Sequence, residues 1–225
     1  MYGPKGPASP IDFCFDLHNS TSNTGVLLCM HQKDALAHEI AAYLFSLDNK
    51  IRVAHWSGSG DQPYLPSLTK SGMTVEIGPV MHGTVNYSLM EKAKHVLVQA
   101  LAYLEFKHQA PTNVPTVQVT MPVGERYGEI DFPRDTSGDL RGFVHPKLQF
   151  IPEMQPGSHL VDGQPLFVNV HGKVLQSFEA KAGDLLLYPL FVNELAYNEK
   201  GVAMYLNALR DVTVSILANA PPSKF

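Results

Sequence analysis

The sequence predicts an α/β protein, with a sheet and covering helices over residues 1–110 and a smaller, mostly antiparallel β-rich domain over 111–225. Two observations carry this. In the first half, short apolar runs of strand length alternate with segments whose apolar residues recur at helical spacing. That helical periodicity stops after the turn-rich stretch 110–115, and short strands separated by Gly, Asp and Ser turns follow.

The elements read in order as follows. Residues 11–17 form an apolar strand that ends abruptly at His18, and 25–30 form the next strand beyond the polar turn Ser20–Thr24. Residues 34–47 carry apolar side chains at helical spacing, with Asp34 as N-cap. Ile51–His55 is a short strand, Trp56–Pro66 a loop rich in Gly, Ser, Asp and Pro, and Met73–Ile77 a strand closed by Gly78-Pro79. The longest helix covers 88–106: Leu89, Ala93, Val96, Leu97, Ala100, Leu101 and Leu104 share one face, and Ser88 with Glu91 forms a capping box. The second half offers strands at 117–121, 128–132, 141–144, 166–170, 184–188 and 204–216, with turns at Asp135–Gly138, Asp162-Gly163 and His171-Gly172.

Composition narrows the function classes. A formal charge of −4 and no Lys/Arg cluster leave no electrostatic footprint for nucleic acid. No apolar run reaches the ~18–20 residues of a membrane helix, and Met1–Pro7 has no apolar signal-peptide core. Cys14 and Cys29 both lie in apolar strands, which predicts buried free thiols in a reducing, cytoplasmic compartment.

Two strand ends carry chemistry. In a mostly parallel sheet, ligands bind outside the carboxyl ends of the strands. His18 sits at such an end, with Asp16 two residues before it, and can present a ring nitrogen to a metal. One His does not make a catalytic zinc site, which takes about three protein ligands. Glu76 lies near the end of another apolar strand; burial there raises a carboxyl pKa, which suits a general base that also protonates a leaving amine.

The motifs Asp16–Asn19 and Val75–Pro79, followed by Ile130–Leu140, Val144–Gln149 and Tyr188–Lys200, resemble in the same order those of the aspartoacylase branch of the zinc carboxypeptidase-like superfamily. The resemblance covers nearly the whole chain. It implies a zinc-carboxypeptidase-like mixed sheet with helices, one Zn2+ per subunit of the complete enzyme, and hydrolysis of N-acyl amino acids. By the same resemblance His18 is a zinc ligand, Glu76 the general acid/base, and Tyr64 and Tyr197 line the substrate pocket; Glu194 would help close the site. A homo-oligomer and peripheral membrane association are implied as well.

Two departures bear on the substrate. Leu68 stands where aspartoacylase proper has an Arg for the aspartate side chain, and Gly201 stands in place of a Lys. A pocket without those cations favours N-acyl aromatic amino acids or mercapturates (S-conjugates of N-acetylcysteine), with N-acetylaspartate as the alternative. The family's Gly-x-His-Gly-Asn-Glu segment, with two further zinc ligands, and its oxyanion Arg and Asn-Arg pair have no match in the sequence. The expectation is therefore an N-terminally truncated chain, whether fragment, short isoform or incomplete gene model. A catalytically silent partner of full-length subunits is the further alternative. His31, His38, His55, His82 and His145 lack the spacing or strand-end position to replace the missing ligands.

Overall fold

The computed structural model describes residues 6–56, 64–81, 83–180, 185–194 and 201–222. Strands β1 (Phe13–Asn19), β2 (Val26–Met30), β3 (Arg52–His55) and β4 (Ser71–Ile77) join β5 (Thr116–Ile130), β9 (Leu187–Leu190) and β10 (Met204–Leu217) in one mixed sheet of order β1-β4-β2-β3-β5-β10-β9. A second, small sheet holds β6 (Phe143–Val144), β7 (Pro165–Val168) and β8 (Val174–Ser177) in antiparallel order. The fold is thus the expected mixed α/β sheet with a smaller antiparallel one. The expected division at 110/111 falls between α2 (Tyr87–Gln109) and β5, and the sheet continues across it: Val53 and Ala54 of β3 pair in parallel with Val123 and Gly124.

Alternation of side chains along the strands splits the sheet into two faces. One face, with Leu28, Met30, Val53, Met73, Val75 and Ile77, is covered by α1 (Ala35–Leu47) and α2. Tyr43 and Tyr103 stack there with centroids 4.5 Å apart, and the Tyr103 hydroxyl donates to Glu39 (2.7 Å) while accepting from the Leu217 N–H (3.0 Å). Each fully buried large side chain of this kind contributes about 2–3 kcal/mol of burial free energy. The other face presents Leu27, Cys29 and Ala54 to Met154, Tyr188, Leu190 and Phe191 from the second half of the chain.

Asp34 caps α1 as expected, its carboxylate accepting from the Ala37 N–H at 2.9 Å. The same carboxylate accepts from Ser71 Oγ (2.6 Å) and the Gly72 N–H (3.0 Å), so one side chain ties the helix to the start of β4. The cap of α2 is a correction: Asn86, not Ser88, accepts from the Leu89 N–H, and Ser88 Oγ donates to Asn86 Oδ1 at 2.8 Å. Residues 117–121 and 128–132 are also one strand rather than two, because β5 runs unbroken beside β10. Both cysteines are free, Cys29 buried and Cys14 half-buried. Among the described residues no helix is long and apolar enough to cross a membrane.

Candidate active site

The parallel ladder between β1 and β4 sets His18 opposite Glu76 and Asp16 opposite Thr74, on the face away from the helices. The His18 ring is half exposed, and its Nε2 lies 3.1 Å from Asp16 Oδ1. A carboxylate this close can orient the ring of a histidine that ligates a metal.

Glu76 is buried beside it, and burial pushes its carboxyl up to about 7. The neighbouring His18 lowers it, and the negative charges of Glu194 and Asp16 raise it further. A carboxyl poised near neutrality both takes and gives a proton. Gly78 sits just beyond it, where a Cβ would lie 2.4 Å from the Ser22 carbonyl oxygen and 2.8 Å from that of Ser20. Only glycine lets the end of β4 close on the turn that follows β1.

That turn is held from above. Glu194 is buried and accepts from Ser20 Oγ at 2.5 Å and from the Ser22 N–H at 2.9 Å. Phe191 and Asn193, in the segment leading to Glu194, adopt left-handed φ of +54° and +59°. Such a backbone is strained for a bulky residue and persists only when its surroundings fix it. Glu153 helps to fix it: fully buried, it accepts from the Val192 N–H at 2.8 Å, and burial pushes its carboxyl up to about 8.

A cavity of about 120 Å3 opens beside this segment, lined by Cys29, Ala54, His55, Trp56, Tyr64, Arg126, Leu190, Phe191, Tyr205 and Asn207. Tyr64 stacks on Trp56 with centroids 4.7 Å apart. Cys29 links the two places, because the Glu76 charge adds to the burial that pushes its thiol up. Leu68, at the end of the 3-10 turn Leu65–Leu68, is not part of that wall. Tyr197 lies outside the described residues, as does His82. Sequence reasoning missed Arg126, Asn207 and Glu153; a charged and an amide residue inside strand-like runs were the only signals for the first two.

Of the spare imidazoles, His55 borders the cavity and pairs with His38, while His31 and His145 serve local turns. His38 Nδ1–H donates to the Asp34 carbonyl at 2.6 Å, and its Nε2 meets His55 Nε2 at 2.8 Å under α1. Burial first, then the His38 charge, pushes His55 down to about 4. The Nδ1 atoms of His31 and His145 accept from the N–H groups of Lys33 and Lys147. Among the described residues no group of three His, Cys, Asp or Glu side chains could hold a metal ion. The described residues offer one strand-end histidine with a carboxylate beside it, and do not by themselves fit a three-ligand zinc site.

The fold is a mixed α/β sheet that sets a strand-end His beside a buried Glu. The structure matches the crystal structure of murine aminoacylase 3 with a TM-score of 0.82 and 31% identity, covering 96% of this chain and 69% of that one. Residues 2–104 match the model of the succinylglutamate desuccinylase/aspartoacylase catalytic domain. The N-acyl-aromatic-L-amino acid amidohydrolase (carboxylate-forming) of Mus musculus is 32% identical over 99% of this chain and 67% of its own length. Aspartoacylase of Mus musculus is 30% identical over 89% of this chain and 62% of its own length. The chain belongs to the succinylglutamate desuccinylase/aspartoacylase family, and it spans about two thirds of the length of these curated relatives.

Proposed function

We propose that the complete protein is a zinc-dependent amidohydrolase that removes the acyl group from N-acyl amino acids, with N-acyl aromatic amino acids or mercapturates as substrates. The observation that carries the reading is the His18–Glu76 pair, set in register at one end of the β1–β4 ladder in a chain of this family. His18 supplies one zinc ligand; the others come from outside the described residues. Glu76, pushed up to about 7, takes a proton from the water whose oxygen bonds to the acyl carbon and passes it to the amine nitrogen as the amide C–N bond breaks, so that a carboxylic acid and a free amine leave. Tyr64 and Tyr197 border the substrate, and Glu194 holds the β1–β2 turn over it.

The aromatic preference rests on the sequence, where Leu68 and Gly201 stand in place of two cations of aspartoacylase, and on the likeness to the amidohydrolase of Mus musculus, and not on the wall of the Tyr64 cavity, which lacks both residues. Arg126 favours a second reading, N-acetylaspartate, because it brings a cation to the Tyr64 cavity. The test is zinc content per chain, together with hydrolysis of N-acetylphenylalanine and N-acetylaspartate by this chain and by the full family length. Zinc-dependent turnover of N-acetylphenylalanine at full length, reduced about 10²- to 10⁴-fold by Glu76→Gln, is expected. A clear preference for N-acetylaspartate overturns the substrate, and no turnover of either overturns the activity. A short chain that is inert yet co-elutes with full-length subunits would mark it as a silent partner.

A further inference from the structure

The two ends of the main sheet are unlike each other. At one end β9 is four residues long and carries Pro189, which has no N–H to offer a further strand. At the other, β1 runs seven residues without a proline, a lysine or a break in register, and among the described residues β4 is its one strand partner. An edge strand of that kind is a template for pairing. The helix layer is open at the same end. α2 turns Val96, Ala100 and Tyr103 to the core, while a second stripe, Met90, Leu97 and Leu101, lies on its outer flank with Met90 and Leu101 more than half exposed. Lys94 interrupts that stripe and is paired with Glu91 on its own helix. Between α2 and β1 lies a cavity of about 340 Å3, walled among others by Leu17, Val75, Ile77, Leu89 and Met90.

We infer that this end of the molecule is a self-association surface, where β1 pairs antiparallel with β1 of a second copy and the two α2 helices meet above the join. A two-fold contact needs a surface complementary to itself, and β1 is one. With Phe15 on the axis, facing the partner's Phe15, Phe13 faces the partner's Leu17. Asp12, just ahead of the strand and held by Lys70 at 2.7 Å, faces the partner's His18. Opposed side chains share a side of the sheet, so apolar meets apolar toward the helices and a carboxylate meets an imidazole on the other face. Centring the pair on Asp16 instead would oppose two carboxylates, which is unfavourable. Ile11, Leu17, Val85, Met90 and Leu101 are each more than half exposed. At roughly 100 Å2 apiece, together with the half-buried Phe13 and Phe15, they approach the ~800 Å2 per partner that a stable dimer buries. Pairing also places His18 under the partner's Asp12, so association and ligation by His18 exclude each other; this consequence, unlike the contact, rests on the reading of His18 as a ligand.

Light scattering on the eluting chain over a hundredfold range of concentration measures the mass, and a rise toward twice the 24.8 kDa of one chain is expected. Met90→Lys with Leu101→Lys, at exposed positions outside the core, should weaken association about tenfold or more. Cross-linking reads the register. Asp16→Cys sets a thiol opposite the partner's Cys14, too far along its own strand from Cys14 to bridge within one chain, and a mild oxidant should then give a covalent dimer that Cys14→Ser abolishes. The mass of the wild type needs no variant, so a misfolded substitution does not decide the matter. A chain that stays at 24.8 kDa throughout, or a dimer that the two lysines leave intact, overturns the surface. Open-ended aggregates do so too, because a two-fold contact closes at two copies. A single copy that instead takes up a family-length subunit gives this edge to that subunit and likewise overturns self-association. None of these outcomes touches hydrolysis by Glu76, so the proposed function is decided separately.

Discussion

Replacing Glu153 with Gln should remove this residue's share of the fall in stability expected of the wild type between pH 5 and 8. Glu153 is 1% exposed; its Oε1 accepts from the Val192 N–H, and Oε2 has no partner among the described residues. Burial, helped by the Glu194 charge, pushes the carboxyl from its ordinary 4.5 up to about 8, against the N–H groups of Val192 and Phe191 and the Ser22 hydroxyl, which hold it down. The unfolded chain therefore loses this proton near 4.5, while the folded chain keeps it to about 8. Between those values the folded state binds more protons, so its contribution to stability is largest below the unfolded pKa and declines as pH rises. The slope is about 1.4 kcal/mol per pH unit, on the order of 5 kcal/mol across the window.

Gln mimics the protonated side chain without a proton to lose. Its carbonyl can keep the Val192 bond, and its amide takes the place of Oε2, exchanging one unpaired buried atom for another. A loss of about 1 kcal/mol at pH 4.5 should turn into a gain of several kcal/mol by pH 8. Urea unfolding of both proteins at half-unit steps from pH 4.5 to 8.5 measures the difference, in which other titrating groups common to both, Glu76 included, largely cancel. A difference between variant and wild type that stays flat or falls across pH 5–8 would refute the reasoning.

Two further outcomes follow from the same geometry. In metal-free protein, Glu194→Gln removes a negative charge that raises Glu76, so the Glu76 carboxyl should titrate below about 7; side-chain ¹³C NMR reads this, and an unchanged or higher value counts against it. Asp34→Ala removes the α1 cap and both bonds to β4, and should lower stability by about 2–3 kcal/mol in a urea titration; a loss below about 0.5 kcal/mol would show that α1 does not depend on it.

The parts of this protein legible in its sequence are those whose signal is local. Asp34 reads as a cap because a short acceptor precedes a helical apolar pattern, and the helix begins there. The strand ends at His18 and Glu76 stand out because apolar alternation stops at a polar residue in each. The helix start at Asn86 was less legible, since Asn86, Ser88 and Glu91 all fit capping patterns and tertiary context chooses among them. β5 looked like two strands because Pro122, Gly124 and Gly128 weaken its local propensity, and only pairing with β10 along its length overrides that. Arg126 and Asn207 are distant in sequence, and the bulge that brings them together leaves no mark on either segment alone.

The β1–β4 ladder acts on this site as a reading frame acts on a codon. His18 faces Glu76 because seven consecutive backbone partners agree, from Phe13 opposite Ser71 to Asn19 opposite Ile77. Side chains alternate faces, so gaining or losing one residue within either strand would turn His18 or Glu76 toward the helices and bring a neighbour into its place. Length changes can be absorbed in the turns and loops between strands; inside these two strands, divergence that preserves the site must proceed by substitution alone.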